Sequence, residues 1–302
     1  MSKNCPIMIR HKERYEKKSR SYLQRGVPVI LRLDGKAFHT YTRGLDKPFD
    51  EGLIEDMQLT AIHLCENIQG AKCAYTQSDE INIMLTDYDR FNTDAYFDYQ
   101  IQKVCGVAAS MAASKFNQLR MIRECIWDNS DTNGQDYCNI NPEWHNLPLA
   151  NFDCRAFNVP VHEVANNFLA RQRDAVKNSI AMLAQSLYSH NELHKKNGSE
   201  MQDMCFEKGH NWNDLHFSKK RGSWIVKNEY WNDLLVKSDA GKFRYTGLLF
   251  ENNTEDTLSH NTAEKGVVSK KDVKIRTKWE VEETPMKFEN KHFEQWLTPP
   301  SK

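Results

Sequence analysis

Three carboxylates, Asp34, Asp79 and Glu80, have the residue types and setting that phosphoryl and nucleotidyl transfer use. Such chemistry needs little covalent help from protein groups. It needs metal ions that bridge the nucleophile, the transferred phosphorus and the leaving phosphate. Magnesium takes oxygen ligands in tight octahedral geometry, usually one or two carboxylates plus substrate phosphates. Asp34 and Asp79 suit bridging ligands for two such ions. Glu80 completes the set, or orients a ligand from behind it. The backbone carbonyl of Gly35 adds a candidate ligand, because glycine permits close approach. Asp-Gly and Ser-Asp are also ordinary turn chemistry, so each residue taken alone reads first as a turn former. The stretch Gly35-Lys36-Ala37-Phe38-His39 follows directly. Its consecutive backbone N–H groups can cradle a triphosphate, and Lys36, His39 and Lys47 can supply positive charge. The competing reading is a plain polar loop.

These residues need elements to bring them together. Val27–Leu33 alternates Val27, Val29, Leu31 and Leu33 on one face, which predicts a strand ending at Asp34. Residues 34–49 hold Gly35, Gly44 and Pro48 and read as a loop. Asp50 can cap a helix carrying Leu53, Met57, Ala61, Leu64 and Ile68, closed by Gly70. Two short strands, Ala71–Gln77 and Ile81–Thr86, flank the polar turn Ser78-Asp79-Glu80. Residues 94–118 predict a helix rich in small residues that can pack closely on a sheet. Residues 127–149 read as an inserted loop, and Phe152–Val159 as a fourth strand. The order βαββαβ is that of the ferredoxin-like α+β core. In it the first strand lies antiparallel beside the third, so Asp34 meets Asp79 and Glu80. A long helix through Phe168, Ile180 and Leu187 follows. Next come a short helix with a capping box at Ser199 and strands at 223–226 and 243–250. Beyond about residue 251 the chain is polar, with little regular structure expected. The expected division is a core over 1–230 with helical additions, and a C-terminal extension over 231–302.

Lys and Arg number 41, as do Asp and Glu, so the formal net charge is zero. That argues against a general polyanion sponge, although a local basic face remains compatible with it. No apolar run approaches the ~20 residues needed to cross a bilayer. The charged N-terminus lacks an apolar signal core. The eight cysteines are scattered, without C-x-x-C or zinc spacing. A reducing, cytoplasmic setting is the simplest expectation.

Four segments carry a family resemblance: RLDGKAFHTYTRGLDKPFD (32–50), YTQSDEINI (75–83), FDCRAFNVP (152–160) and FLARQRDAVKNSIAMLAQ (168–185). Together they resemble the tRNA-His guanylyltransferase family, and more closely its branch of 3′–5′ RNA polymerases, over about residues 5–230. The resemblance implies a polymerase-palm-like core that extends tRNA 5′ ends. ATP, or GTP in some members, activates a 5′-monophosphate; the 3′-OH of an incoming nucleoside triphosphate attacks it; pyrophosphate is then removed. It implies two Mg2+ ions, with Asp34, Gly35, Asp79 and Glu80 in the metal and catalytic set. Lys36, Ala37, Phe38, His39, Lys47, Asp50 and Ser78 match the residues that serve the nucleotide. Arg155 matches a basic residue near the reacting 5′ end, and Asn178 part of a helical motif facing substrate. Family members are tetramers built from dimers, which is expected here too. Where the tRNA-His-specific members carry His-Ile-Asn-Asn, this chain has Val176-Lys177-Asn178-Ser179. That favours template-dependent repair of truncated tRNAs over strict addition of a guanosine to tRNA-His.

A tRNA partner also asks for a phosphate-contacting surface. Arg171, Arg173 and Lys177 share one helix, with Lys195, Lys196, Lys219, Lys220 and Arg221 further on. They read as a basic track or, equally, as solvated faces. Trp212, Trp224 and Trp279 read as packing residues before base-stacking ones. The competing functions are a nucleotide cyclase on the same fold and a catalytically silent RNA-binding protein.

Overall fold

A computed structural model describes residues 6–90, 92–129, 148–238, 241–245, 273–282 and 290–298. The chain divides into two compact units, Met1–Val226 with Val281–Lys302, and Lys227–Glu280.

The first unit is built on β1, Val29–Gly35. Val29, Ile30, Leu31 and Leu33 are fully buried, so both faces of this strand are covered. β1 pairs antiparallel with β3, Glu80–Leu85, on one side and with β4, Phe152–Asn158, on the other. β2, Ala71–Gln77, lies outside β3, and the first residues of β5, Ser223–Ser238, pair with β2. The strand order is therefore β4-β1-β3-β2-β5, every neighbour antiparallel.

The N-terminal residues Pro6–Ser19 are helical, beginning with α1, Pro6–His11. After β1 comes the single turn α2, Phe38–Tyr41. α3, Glu51–Asn67, and α4, Ile101–Asn129, pack on each other, α3 against β2 and α4 against β4. Met57, Ala61 and Leu64 of α3 are buried, as are Val104, Ala108, Ala112 and Phe116 of α4. The small residues of α4 let it approach the sheet, as its composition predicts. α5, Val164–Leu187, places Phe168 in a separate core with Ile30, Tyr75, Met84 and Trp224. α6, His190–Leu193, and α7, Gly198–Glu207, follow. Then α8, Phe217–Arg221, leads into β5. Trp212 and Trp224 are buried, as a packing role requires. Cys65, Cys73 and Cys205 are buried free thiols. Among the described residues no helix is long and apolar enough to cross a membrane.

Several elements differ from expectation. The helix expected from residue 94 begins at Ile101. Before it, Tyr96–Tyr99 forms a tight turn in which Phe97, Asp98 and Tyr99 take left-handed backbone angles, so helical geometry cannot run through. α4 continues through residues 127–129, and residues 130–147 of the expected loop lie outside the described residues. The cap of α7 is Asn197, two residues before the expected Ser199. Its side chain accepts from the N–H groups of Ser199 and Glu200, and Glu200 accepts in return from the N–H of Asn197. The polar C-terminal segment holds regular structure: α9, Asn290–Leu297, puts Phe293 fully buried against Phe168 and Trp224.

In the second unit, β5 pairs antiparallel with β6, Gly241–Tyr245, in register Leu234↔Tyr245. β7, Val273–Val281, also pairs with β5. Residues 246–250 of the expected strand 243–250 lie outside the described residues. Of the C-terminal segment, Lys227–Glu280 forms the second unit and Val281–Lys302 groups with the first.

Candidate active site

The ladder between β1 and β3 sets Asp34 directly opposite Glu80. β2 and β3 are joined by the two residues Ser78 and Asp79. Ser78 takes φ 50, the left-handed region that a tight hairpin turn imposes and that side chains adopt at a cost. The N–H of Gly35 donates to the Asp79 carbonyl at 3.1 Å, so the end of β1 is tied to this turn. Burial pushes the Asp79 carboxyl up from the ordinary carboxylate range, and the like charge of Asp34 pushes it further; hydrogen bonds, including one from Ser78, act the other way. A buried Asp79 raised in part by the charge of Asp34 forms with it a donor set that fits a divalent cation. Among the described residues no group of three or more His, Cys, Asp or Glu is arranged to hold a metal. A magnesium site made of two carboxylates, a carbonyl and substrate phosphates needs no such group.

Glu80 is placed differently from Asp79. It is buried, 8 % exposed. Its Oε1 accepts from Asn82 Nδ2 at 2.7 Å and lies 3.0 Å from Arg171 Nε on α5. Arg171, expected only on a basic track, is thus engaged with the carboxylate set.

The loop after β1 is shaped by packing. A Cβ on Gly35 would meet the Phe38 ring at 2.2 Å, so only glycine fits beneath that ring. Phe38 is buried among Tyr41, Phe116 and Phe152, with ring centroids 5.0–5.7 Å away. Ala37 takes φ 54, and Lys36 N–H donates to the Asn151 carbonyl at 2.8 Å. Asp50 caps α3, accepting from Leu53 N–H at 2.6 Å.

These elements border a cavity of about 860 Å³, within the range of ligand sites. The loop contributes Ala37, Phe38, His39, Arg43, Lys47 and Asp50; the hairpin turn contributes Ser78 and Asp79. Asn178, Ser179, Met182 and Gln185 of α5 form the facing wall, and Ser218 and Lys219 of α8 close it. Leu45, Pro48, Phe49, Leu53 and Ile54 give it an apolar part. Ser179 accepts from Trp212 Nε1 at 3.0 Å and contacts the Lys220 carbonyl, which fixes α8 to α5.

Asp34, Lys36 and Glu80 are not in the lining, although each neighbours a residue that is. Asn178, expected among tRNA contacts, lies in this wall. Arg173 and Lys177 are exposed on α5, and Lys177 is 3.9 Å from Asp174. Arg155 is exposed on β4, in register with Arg32. Sequence reasoning missed Arg43, Met182, Gln185 and Lys219 as lining. Arg43 and Lys219 sit in basic stretches that could have marked them; Met182 and Gln185 carry no signal beyond helical spacing from Asn178.

Fold and cavity define a class, an antiparallel α/β protein whose acidic hairpin turn borders a space of nucleoside-triphosphate size. Within it, the chain belongs to the tRNAHis guanylyltransferase family, whose model matches residues 9–160. It is similar to a bacterial tRNA(His) guanylyltransferase-like protein solved in complex with ATP. The two are 44% identical, with 73% of this chain and 87% of that one covered and a TM-score of 0.63. A bacterial protein of the same description in complex with GTP is 35% identical, with 97% and 99% covered and a TM-score of 0.66. A probable tRNA(His) guanylyltransferase of Drosophila melanogaster is 23% identical over 216 residues, 66% of each chain. The chain is accordingly an enzyme, a nucleotidyltransferase.

Proposed function

We propose that this enzyme adds nucleotides to tRNA 5′ ends in the 3′–5′ direction, with magnesium, as template-dependent repair of truncated tRNAs. The observation that carries the reading is Asp79, which borders the cavity and feels the charge of Asp34. The strand order β4-β1-β3-β2 supports a ferredoxin-like, polymerase-palm arrangement of the first unit, which we take as the catalytic domain.

Asp34, Asp79 and the Gly35 carbonyl are the groups to hold Mg2+; bound there, it would neutralise charge developing on the reacting phosphates. ATP or GTP and the incoming nucleoside triphosphate are the substrates, in keeping with the nucleotides in the bacterial relatives. The apolar part of the cavity receives a base. Arg43, Lys47, His39 and Lys219 supply charge for phosphates. Ser78 and Asn178 orient the nucleotide by hydrogen bonds. The exposed Arg155, Arg173 and Lys177 are the candidates for tRNA contact. The working enzyme is a cytoplasmic tetramer built from dimers in this reading.

The second reading is guanosine addition to full-length tRNA-His, favoured by the name of the Drosophila relative. The test compares end-labelled full-length tRNA-His with 5′-truncated tRNAs, each with ATP, nucleoside triphosphates and magnesium. Extension of truncated tRNAs supports repair. A single added guanosine on tRNA-His alone supports the second reading, and no extension of either rejects both.

A further inference from the structure

We infer that Arg171 is a positioning residue, and that its ion pair with Glu80 is a strut between the two walls of the nucleotide cavity. The inference rests on the reading of that cavity as a nucleotide site. One wall is the hairpin turn, where Asp79 borders the cavity. The next residue, Glu80, turns its carboxylate the other way. It is paired with Arg171 Nε at 3.0 Å and accepts from Asn82 Nδ2 at 2.7 Å. The Arg171 contact is an ion pair and not an aligned hydrogen bond, because its Nε–H has no acceptor in line.

The other wall is α5. Ala175 and Asn178 lie four and seven positions beyond Arg171, so the three share one face of the helix. Ala175, Asn178 and Met182 line the cavity. The Arg171 guanidinium is itself held one turn on, where Nη2 donates to Asp174 Oδ2 at 2.6 Å. Asn82 is fully buried on β3 and keeps the Glu80 carboxylate from swinging.

The side chains of Arg171 and Glu80 are 22 % and 11 % exposed. Losing Arg171 would leave the Glu80 charge largely buried and uncompensated, and losing Glu80 would leave the guanidinium held by Asp174 alone. α5 and the turn would then shift to give that charge water, and the distance between Asn178 and Asp79 would no longer be fixed. Glu80 is thereby assigned to the support of the site, and Asp34 and Asp79 to its metal chemistry.

The experiment measures ATP affinity in EDTA, with hydrogen exchange of the α5 amides, for the wild type, Arg171→Gln, Arg171→Lys, Glu80→Gln and the double variant Arg171→Gln/Glu80→Gln. Melting curves establish that each variant is folded. A strut predicts that Arg171→Gln and Glu80→Gln each weaken ATP binding about tenfold without metal. It predicts faster exchange over residues 171–182 in both. The double variant is no worse than either single one, and Arg171→Lys recovers part of the affinity. KM for nucleotide rises more than kcat falls. Unchanged EDTA affinity and unchanged exchange in Arg171→Gln would overturn the inference. So would a Glu80→Gln defect confined to the magnesium concentration needed. Exchange is read without substrate, so it decides the strut even if tRNA extension is absent; that absence would count against the proposed function alone.

Discussion

Asp34 stands directly opposite Glu80 on the β1–β3 ladder, with Asp79 one residue beyond its end. Of the three carboxylates, Asp79 alone borders the cavity. Asp34→Asn and Asp79→Asn should each lower 5′-extension about a hundredfold or more, the loss of several kcal/mol of charge stabilisation. Single-turnover extension on labelled tRNA measures this, with circular dichroism to show the fold is kept.

The same geometry predicts a gain in stability. Burial and the neighbouring Asp34 disfavour the charged form of Asp79 in the folded chain. In metal-free protein at neutral pH, Asp79→Asn removes that penalty, so its Tm should rise above the wild type's. Added magnesium should then raise the Tm of the wild type more than that of the variant. A variant that melts lower in EDTA would contradict the electrostatic account of this turn.

Gly35 is demanded by packing as well as by chemistry. Gly35→Ala drives a methyl into the Phe38 ring, a 2.2 Å approach. The expected cost is about 1–3 kcal/mol of stability, read by urea denaturation. Phe38→Leu should recover part of it in the double variant, because the clash is with the ring.

These consequences were unevenly legible in the sequence. The alternating residues before Asp34 and the order of short strands placed it beside Glu80, since strand order dictates which ends adjoin. The cap at Asp50 was readable from a local pattern. Arg171 was not: nothing local in a helix reveals that an arginine reaches a carboxylate on a sheet. α9 escaped because Phe293 sits in a charged stretch, and its burial depends on Phe168 and Trp224, far away in sequence. The left-handed turn at Phe97 and Asp98 escaped because it involves neither Gly nor Asn, the residues that usually mark one.

Asp56 is 1 % exposed on α3 and is bound by Arg120 and Arg123 of α4, at 3.3 and 2.7 Å. Asp56→Ala removes the buried carboxylate that binds both Arg120, itself only 9 % exposed, and Arg123. The predicted loss is about 3–5 kcal/mol, measured by chemical denaturation.

Asn178 faces the cavity from α5. Asn178→Ala should weaken nucleotide binding about three- to tenfold, the worth of one hydrogen bond, by calorimetry with ATP and GTP. Binding of tRNA without nucleotide should not change. A tRNA defect with intact nucleotide affinity would return Asn178 to the tRNA surface.

The central claim is that Asp34 and Asp79 drive nucleotide addition to a tRNA 5′ end. The most direct measurement incubates a 5′-truncated, 5′-monophosphorylated tRNA, labelled at its 3′ end, with ATP, nucleoside triphosphates and magnesium. The wild type should give products lengthened at the 5′ end, and folded Asp79→Asn about a hundredth as much or less. Extension near the wild-type rate in Asp79→Asn, or a wild type that never lengthens the tRNA, would contradict the account.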